Sequence, residues 1–193
     1  NADFPGATSI FAGFAATLKA GGGEARLSVD GSVPEDFKPD LVVAVFGESP
    51  YAEGNGDLDN LEYQRGDKRD LAMLARIKAA DLPLVSVFLS GRPLWMNPEL
   101  NASDAFVAAW LPGSEGAGVA DVLVGDKAAK PRQDFVGRLP FPWPGTPADD
   151  GFQLADGHTS AQAESSKAPL FPLWEGFSYQ ADASLAKLDE SSG

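Results

Sequence analysis

Two hydrophobic periods alternate along the first 125 residues. The first segment, residues 5 to 22, carries Ile10, Phe11, Phe14, Ala15 and Leu18 at helical spacing. Pro5 and Gly6 precede it, Thr8 or Ser9 can cap it, and Gly21-Gly22-Gly23 stops it. Ala25 to Val29 alternates apolar and polar positions and reads as a short strand. Asp30 to Pro39 is rich in turn formers. Asp40-Leu-Val-Val-Ala-Val-Phe-Gly47 is a continuous apolar run, the pattern of a strand covered on both faces. After a long polar loop from Glu48 to about Arg65, Leu71, Leu74 and Ile77 mark an amphipathic helix over Asp67 to Ala80. Leu82 to Leu89 is a second buried strand and Ala105 to Trp110 a third. Gly118 to Val124 is a short helix. This succession predicts an α/β domain, with a mostly parallel sheet flanked by helices and joined by right-handed crossovers. In such sheets sites form beyond the carboxyl ends of the strands, here the loops after Gly47, Leu89 and Trp110.

Beyond residue 125 the period is lost. Lys127 to Asp134 is a polar connection, and Phe135 to Pro144 is Pro-punctuated. Asp149 to Lys167 is polar and aperiodic and reads as a surface loop or a partly disordered segment. Ala168 to Tyr179 is apolar and is expected to pack onto the sheet, and Leu185 to Gly193 reads as a mobile tail. The domain is therefore drawn as residues 1 to 180, with 181 to 193 as a C-terminal tail.

Composition narrows the function. The chain has 193 residues with 15 Lys+Arg and 28 Asp+Glu, a net charge of -13. Nucleic acid and anionic membranes reward clustered basic residues, so neither fits as the main partner. Cysteine is absent, which excludes disulfide frameworks, thiolate metal sites and cysteine nucleophiles. One histidine, His158, excludes a multi-histidine metal centre, and it falls in a polar loop away from any catalytic pattern. No metal or cofactor is called for. The acidic, cysteine-free composition suits a bacterial secreted or periplasmic protein.

The loop Gly47-Glu-Ser-Pro-Tyr-Ala-Glu-Gly-Asn-Gly-Asp57 is the chemical focus. It sets Glu48, Glu53 and Asp57 beside Tyr51 at a sheet edge. A carboxylate on such a loop can serve as general acid/base, or can bind sugar hydroxyls or a cation. The EF-hand spacing is absent. A merely solvated acidic loop is the plain alternative.

From Val45 to Asp57 this loop resembles that of glycoside hydrolase family 3. The resemblance continues through Leu89-Ser-Gly-Arg-Pro-Leu94, Ala108 to Asp126, Phe135-Val-Gly-Arg-Leu-Pro140 and Pro169-Leu-Phe-Pro-Leu173. Five blocks in order, spanning roughly residues 4 to 180, resemble the α/β sandwich that β-glucosidases and exo-β-glucanases pair with a (β/α)8 barrel. The resemblance implies a retaining enzyme that removes terminal β-D-glucose. The barrel supplies an aspartate nucleophile, and Glu53 of this domain is the acid/base. It implies two partners, the barrel polypeptide and a β-glucoside or β-glucan. Two carboxyl groups about 5 Å apart suit that chemistry, and the acid must start protonated.

The resemblance also has gaps. Family members open this domain with a strand, and then carry Gly-Gly-Trp and Trp-Gln-Gly stretches that this chain lacks. The chain is expected to be a segment of a longer polypeptide, incomplete without what precedes it and poorly folded alone. The usual Phe-Gly-Tyr-Gly-Leu reads Leu173-Trp-Glu-Gly-Phe177 here. Around Glu53, the expected supporting or substrate-binding residues are Glu48, Tyr51, Asp57, Arg92 and Trp95. Glu48 is read as a structural carboxylate, and Arg92 as a loop tie that can fix the acid/base loop. Trp95 is read as either a sugar platform or core. Trp110 is read as core, with a sugar platform as the alternative, Trp143 and Trp174 as packing, and Glu115 as a loop anchor. A non-catalytic carbohydrate-binding or structural domain is the alternative, and sugar binding by the chain without a barrel would favour it.

Overall fold

Ser9 starts the first helix by accepting a hydrogen bond from the Ala12 amide at 3.1 Å. In the computed structural model, which describes residues 3–148, 168–181 and 183–191, this helix is α1, Ile10–Gly21. It ends at Gly22, whose φ of 92° lets the chain turn out in the left-handed region. Then follow β1 (Val42–Gly47), α2 (Arg69–Ala79), β2 (Leu84–Leu89), α3 (Asn97–Asn101), β3 (Ala105–Trp110) and α4 (Gly116–Leu123). The strands form one parallel sheet in the order β1-β2-β3. Val43 pairs with Val85 and Val85 with Ala105, and the register slips once between Phe88 and Leu89. The fold expectation is met: a parallel sheet with helices on both faces.

The pleat sorts the apolar runs into two cores. Ala44, Phe46, Leu84, Phe88 and Phe106 face the Leu74 and Ile77 side of α2, along with Leu94, Met96, Leu100 and Trp143. Val43, Val87, Leu89, Val107 and Ala109 face Phe14 of α1 and Val119 and Ala120 of α4. Fully burying a side chain such as Leu74, Leu84 or Phe88 contributes about 1.5–3 kcal/mol, so this two-faced burial dominates the stability. Helices α1 and α4 touch through glycines. A Cβ on Gly13 would lie 2.6 Å from Ala117 Cα, and one on Gly116 would lie 2.5 Å from the Ile10 nitrogen. Glu115, at the N-cap of α4, makes no side-chain cap bond. Thr8 Oγ1, in the lead-in to α1, accepts from the Ala117 amide at 3.1 Å instead.

Three expectations are corrected, and one helix is unanticipated. Residues 25 to 29 form no strand: they have no ladder partner, and Leu27 and Val29 are exposed. A strand exists only where a neighbour completes its hydrogen bonds, and among the described strands β1 pairs with β2 alone. Arg26 organises this stretch through Glu24, Asp36 and the Phe37 ring. Helix α3 has no counterpart in the sequence expectations because Pro98 punctuates it, although proline suits a first helical turn. The tail is not free at Leu188, which packs on the core and exchanges hydrogen bonds with the Asn101 side chain. Trp174, expected to pack, is 69% exposed with a φ of 67°, although Leu170 and Phe171 of the same stretch do join the core. The segment around Leu139 to Trp143 runs antiparallel to Leu170 to Glu175, bonded at Trp143–Phe171 and Leu139–Glu175. The polar stretch Asp149 to Lys167, with His158, lies outside the described residues.

Candidate functional site

The carboxyl ends of β1 and β2 meet closely at Gly47. A Cβ there would fall 2.0 Å from the Leu89 carbonyl oxygen, so no other residue fits without parting the strands. The Glu48 amide donates to that same carbonyl at 3.0 Å, and the Ser90 amide donates to the Trp110 carbonyl at 3.2 Å. The three strand ends are thereby laced together, and the loops after them leave from one edge.

Glu48 is the half-buried acid at this edge. Its Oε1 accepts from Arg92 Nε at 3.0 Å and from Arg92 Nη2 at 2.7 Å. Its Oε2 accepts from Ser90 Oγ at 2.6 Å, and Ser90 Oγ in turn accepts the Arg92 amide at 3.1 Å. Both carboxylate oxygens are engaged. Both Arg92 nitrogens converge on the single oxygen Oε1, a charge-assisted contact.

The rest of the loop arches over the same arginine. Arg92 Nη1 donates to the Gly56 carbonyl, and the guanidinium carbon lies 4.4 Å from the centroid of the Tyr51 ring. The Tyr51 ring is wedged between two glycines. A Cβ on Gly56 would lie 2.3 Å from its Cδ2, and one on Gly91 would lie 2.8 Å from its Oη. Between Tyr51 and Gly56 the backbone makes a turn, closed by the Asn55 amide on the Ala52 carbonyl at 3.0 Å, with Gly54 at φ 77°. Glu53 sits on this turn. It is exposed, and among the described residues no hydrogen bond or ion pair reaches its carboxylate. Asp57 is likewise exposed just after the turn.

The far end of the loop is held from beneath. Trp95 and Leu61 to Tyr63 exchange backbone hydrogen bonds, Trp95 N–H to Leu61 and Tyr63 N–H to Trp95. Tyr63 Oη donates to Asp70 Oδ2 at 2.6 Å and lies 2.9 Å from the Gly47 carbonyl. Burial, then the Asp70 hydrogen bond, push the Tyr63 hydroxyl well above the ordinary phenol range, so it stays a neutral donor. Nearby, Lys68 Nζ donates to the Tyr63 carbonyl at 2.6 Å and pairs with Glu62 at 2.9 Å. It lies 4.0 Å from Glu99, a fully buried carboxyl that burial pushes above the usual carboxylate range.

The structure thus brings Glu48, Tyr51, Glu53 and Arg92 to one edge. Trp95 takes the core side of its two readings. It is 1% exposed, under Lys68 at 5.9 Å, so it offers no face to a sugar ring and belongs to the core. Sequence reasoning gives no role to Ser90, Gly56, Gly91 or Tyr63. Ser90 and Gly91 stand in the quoted Ser-Gly-Arg-Pro block, which is the one available signal. Among the described residues no cluster of three or more His, Cys, Asp or Glu could hold a metal ion.

Comparison with known proteins agrees with this architecture. The profile described as the glycosyl hydrolase family 3 C-terminal domain matches residues 4–180. A lysosomal β-glucosidase of Dictyostelium discoideum is 33% identical over 156 residues, 80% of this chain and 18% of that protein. A periplasmic β-glucosidase of Salmonella typhimurium is 32% identical over 164 residues, 78% of this chain and 20% of that protein. The crystal structure of an exo-1,3/1,4-β-glucanase from a Pseudoalteromonas species superposes with a TM-score of 0.90 at 47% identity, covering 100% of this chain and 23% of that one. The chain therefore spans about a fifth of the length of these relatives.

Proposed function

The chain belongs to glycosyl hydrolase family 3, as its C-terminal domain, and from that we propose that it supplies Glu53 as the acid/base of a retaining exo-acting β-glucosidase or exo-β-glucanase whose nucleophile lies on a separate barrel domain. The supporting observation is the contrast between the loop's two glutamates. Glu48 has both oxygens committed to Arg92 and Ser90. Glu53 stands exposed on a turn at the carboxyl edge of the sheet, free to meet a substrate held by another domain.

In the first step the barrel aspartate attacks the anomeric carbon. The Glu53 carboxyl gives its proton to the departing glycosidic oxygen, and the C–O bond breaks. In the second step the Glu53 carboxylate takes a proton from water, the water oxygen attacks the same carbon, and the aspartate leaves. Two inversions return β-D-glucose. A carboxyl that must begin protonated needs burial or a neighbouring carboxylate, and docking against the barrel provides both. Terminal β-glucosides and β-glucans are the substrate class that these relatives' names support; one of them is named as periplasmic and one as lysosomal, and a periplasmic or secreted location is the reading carried from the sequence.

The test is Glu53→Gln in the intact enzyme, read as kcat/KM, which reports the first step. On an oligosaccharide, whose leaving group needs the proton, kcat/KM should fall about 10²- to 10⁴-fold. On an activated aryl glucoside it should change little. Equal losses on both substrates would remove Glu53 from the role.

A further inference from the structure

Residues Tyr51 to Gly56 carry the carboxylate through which the domain is proposed to act, and one side chain touches both ends of that segment. Arg92 meets the Tyr51 ring at 4.4 Å at the start and donates to the Gly56 carbonyl at the finish. Its Nε and Nη2 donate to Glu48 Oε1 at 3.0 and 2.7 Å. We propose that Arg92 is the positioning residue for Glu53: its guanidinium, fixed by Glu48, clamps both ends of the Glu53 turn and presets the carboxylate before substrate arrives. The proposal rests on the acid/base reading of Glu53.

The chemistry of the clamp is specific to a planar, forked cation. The fork reaches the carboxylate from one edge and the carbonyl from another, while its face lies against an aromatic ring. A lysine can satisfy one of these contacts but not all of them. The packing supports the same reading. Gly56 and Gly91, having no side chains, leave the space in which the Tyr51 ring lies over Arg92, with 42% of the residue still exposed. Ser90 bonds both the Arg92 amide and Glu48, which removes the remaining freedom of the arginine's backbone. Glu53 itself touches none of these groups, so its placement is inherited from the ends of its turn. Placement matters in proportion: a misplacement of about 1 Å at a reacting group can cost on the order of 10²-fold in rate.

The test uses Arg92→Met in the intact enzyme beside Glu53→Gln. Amide hydrogen exchange over residues 51 to 57 is the direct readout, and it does not depend on what Glu53 does. Arg92→Met should raise exchange there while leaving β1 and β2 protected, and unchanged exchange overturns the clamp. Kinetics give the second readout. Arg92→Met should lower kcat/KM on an oligosaccharide by about 10- to 100-fold and spare an activated aryl glucoside, a smaller copy of the Glu53→Gln pattern. If Glu53→Gln shows the selective loss and a folded Arg92→Met does not, the clamp fails and the acid/base reading stands. If Glu53→Gln loses both substrates equally, the acid/base reading fails, and the clamp survives as loop architecture only if exchange rises. If Arg92→Met does not fold, Tyr51→Leu, which removes one grip and leaves the ion pair, should raise exchange over the same residues, and its failure to do so overturns the proposal.

Discussion

At Glu48 both carboxylate oxygens accept hydrogen bonds, from Arg92 and from Ser90; at Glu53, among the described residues, neither does. In the sequence both are acids of one loop. Their order along the loop and the family resemblance point to Glu53, but the engagement of Glu48 is not legible there, because Ser90 and Arg92 lie 42 and 44 residues away. Trp95, left open between sugar platform and core, is decided by contacts of the same long-range kind. Its backbone bonds to Leu61 and Tyr63 draw it inside. The buried Glu99 supports a prediction at this scale. Its folded-state pKa is raised, first by burial, so folding costs more as pH climbs from the unfolded value, about 4.3, toward the folded one. Glu99→Gln should therefore melt higher than the parent at pH 8, with the advantage disappearing below about pH 4. Lys68 keeps Glu62 at 2.9 Å as a partner in the variant. A variant that melts lower at pH 8, or whose advantage grows on acidification, would contradict this account.

Strands are legible where the apolar run is continuous. Ala105–Trp110 matches its expected bounds, and Val42–Gly47 and Leu84–Leu89 lose only their leading residues. Residues 25 to 29 have the alternation of a strand but not the partner that makes one, and partnership is not written in a local window. Helix α3 is hidden by its proline, and the docking of Leu188 by the distance in sequence to Asn101. The α1–α4 contact is invisible too, since Gly13 looks like a weak point in a helix until Ala117 is seen against it. Filling that space should be costly. Gly13→Ala puts a methyl 2.6 Å from backbone, not from a flexible side-chain tip, so the intact protein should lose about 1–3 kcal/mol of stability by chemical denaturation. A neutral or stabilising effect, the usual result of Gly→Ala in an open helix, would show that the two helices are not held at this distance.

At the scale of the whole chain, the candidate residues gather at one edge of the sheet. The chain's loops converge beyond β1, β2 and β3, its net charge of -13 disfavours polyanions, and it covers about a fifth of relatives whose names describe β-glucosidases and an exo-glucanase. In the proposed function Glu53, and not Glu48, exchanges the proton in a site completed by a barrel. Azide tests it most directly, because azide attacks a glycosyl-enzyme without needing a base. In the intact enzyme, Glu53→Gln turning over an activated aryl glucoside should be accelerated by azide and should yield β-glucosyl azide, with configuration retained. Glu48→Gln, which leaves the base in place, should yield none. Azide rescue of Glu48→Gln and not of Glu53→Gln would transfer the role to Glu48 and contradict the account.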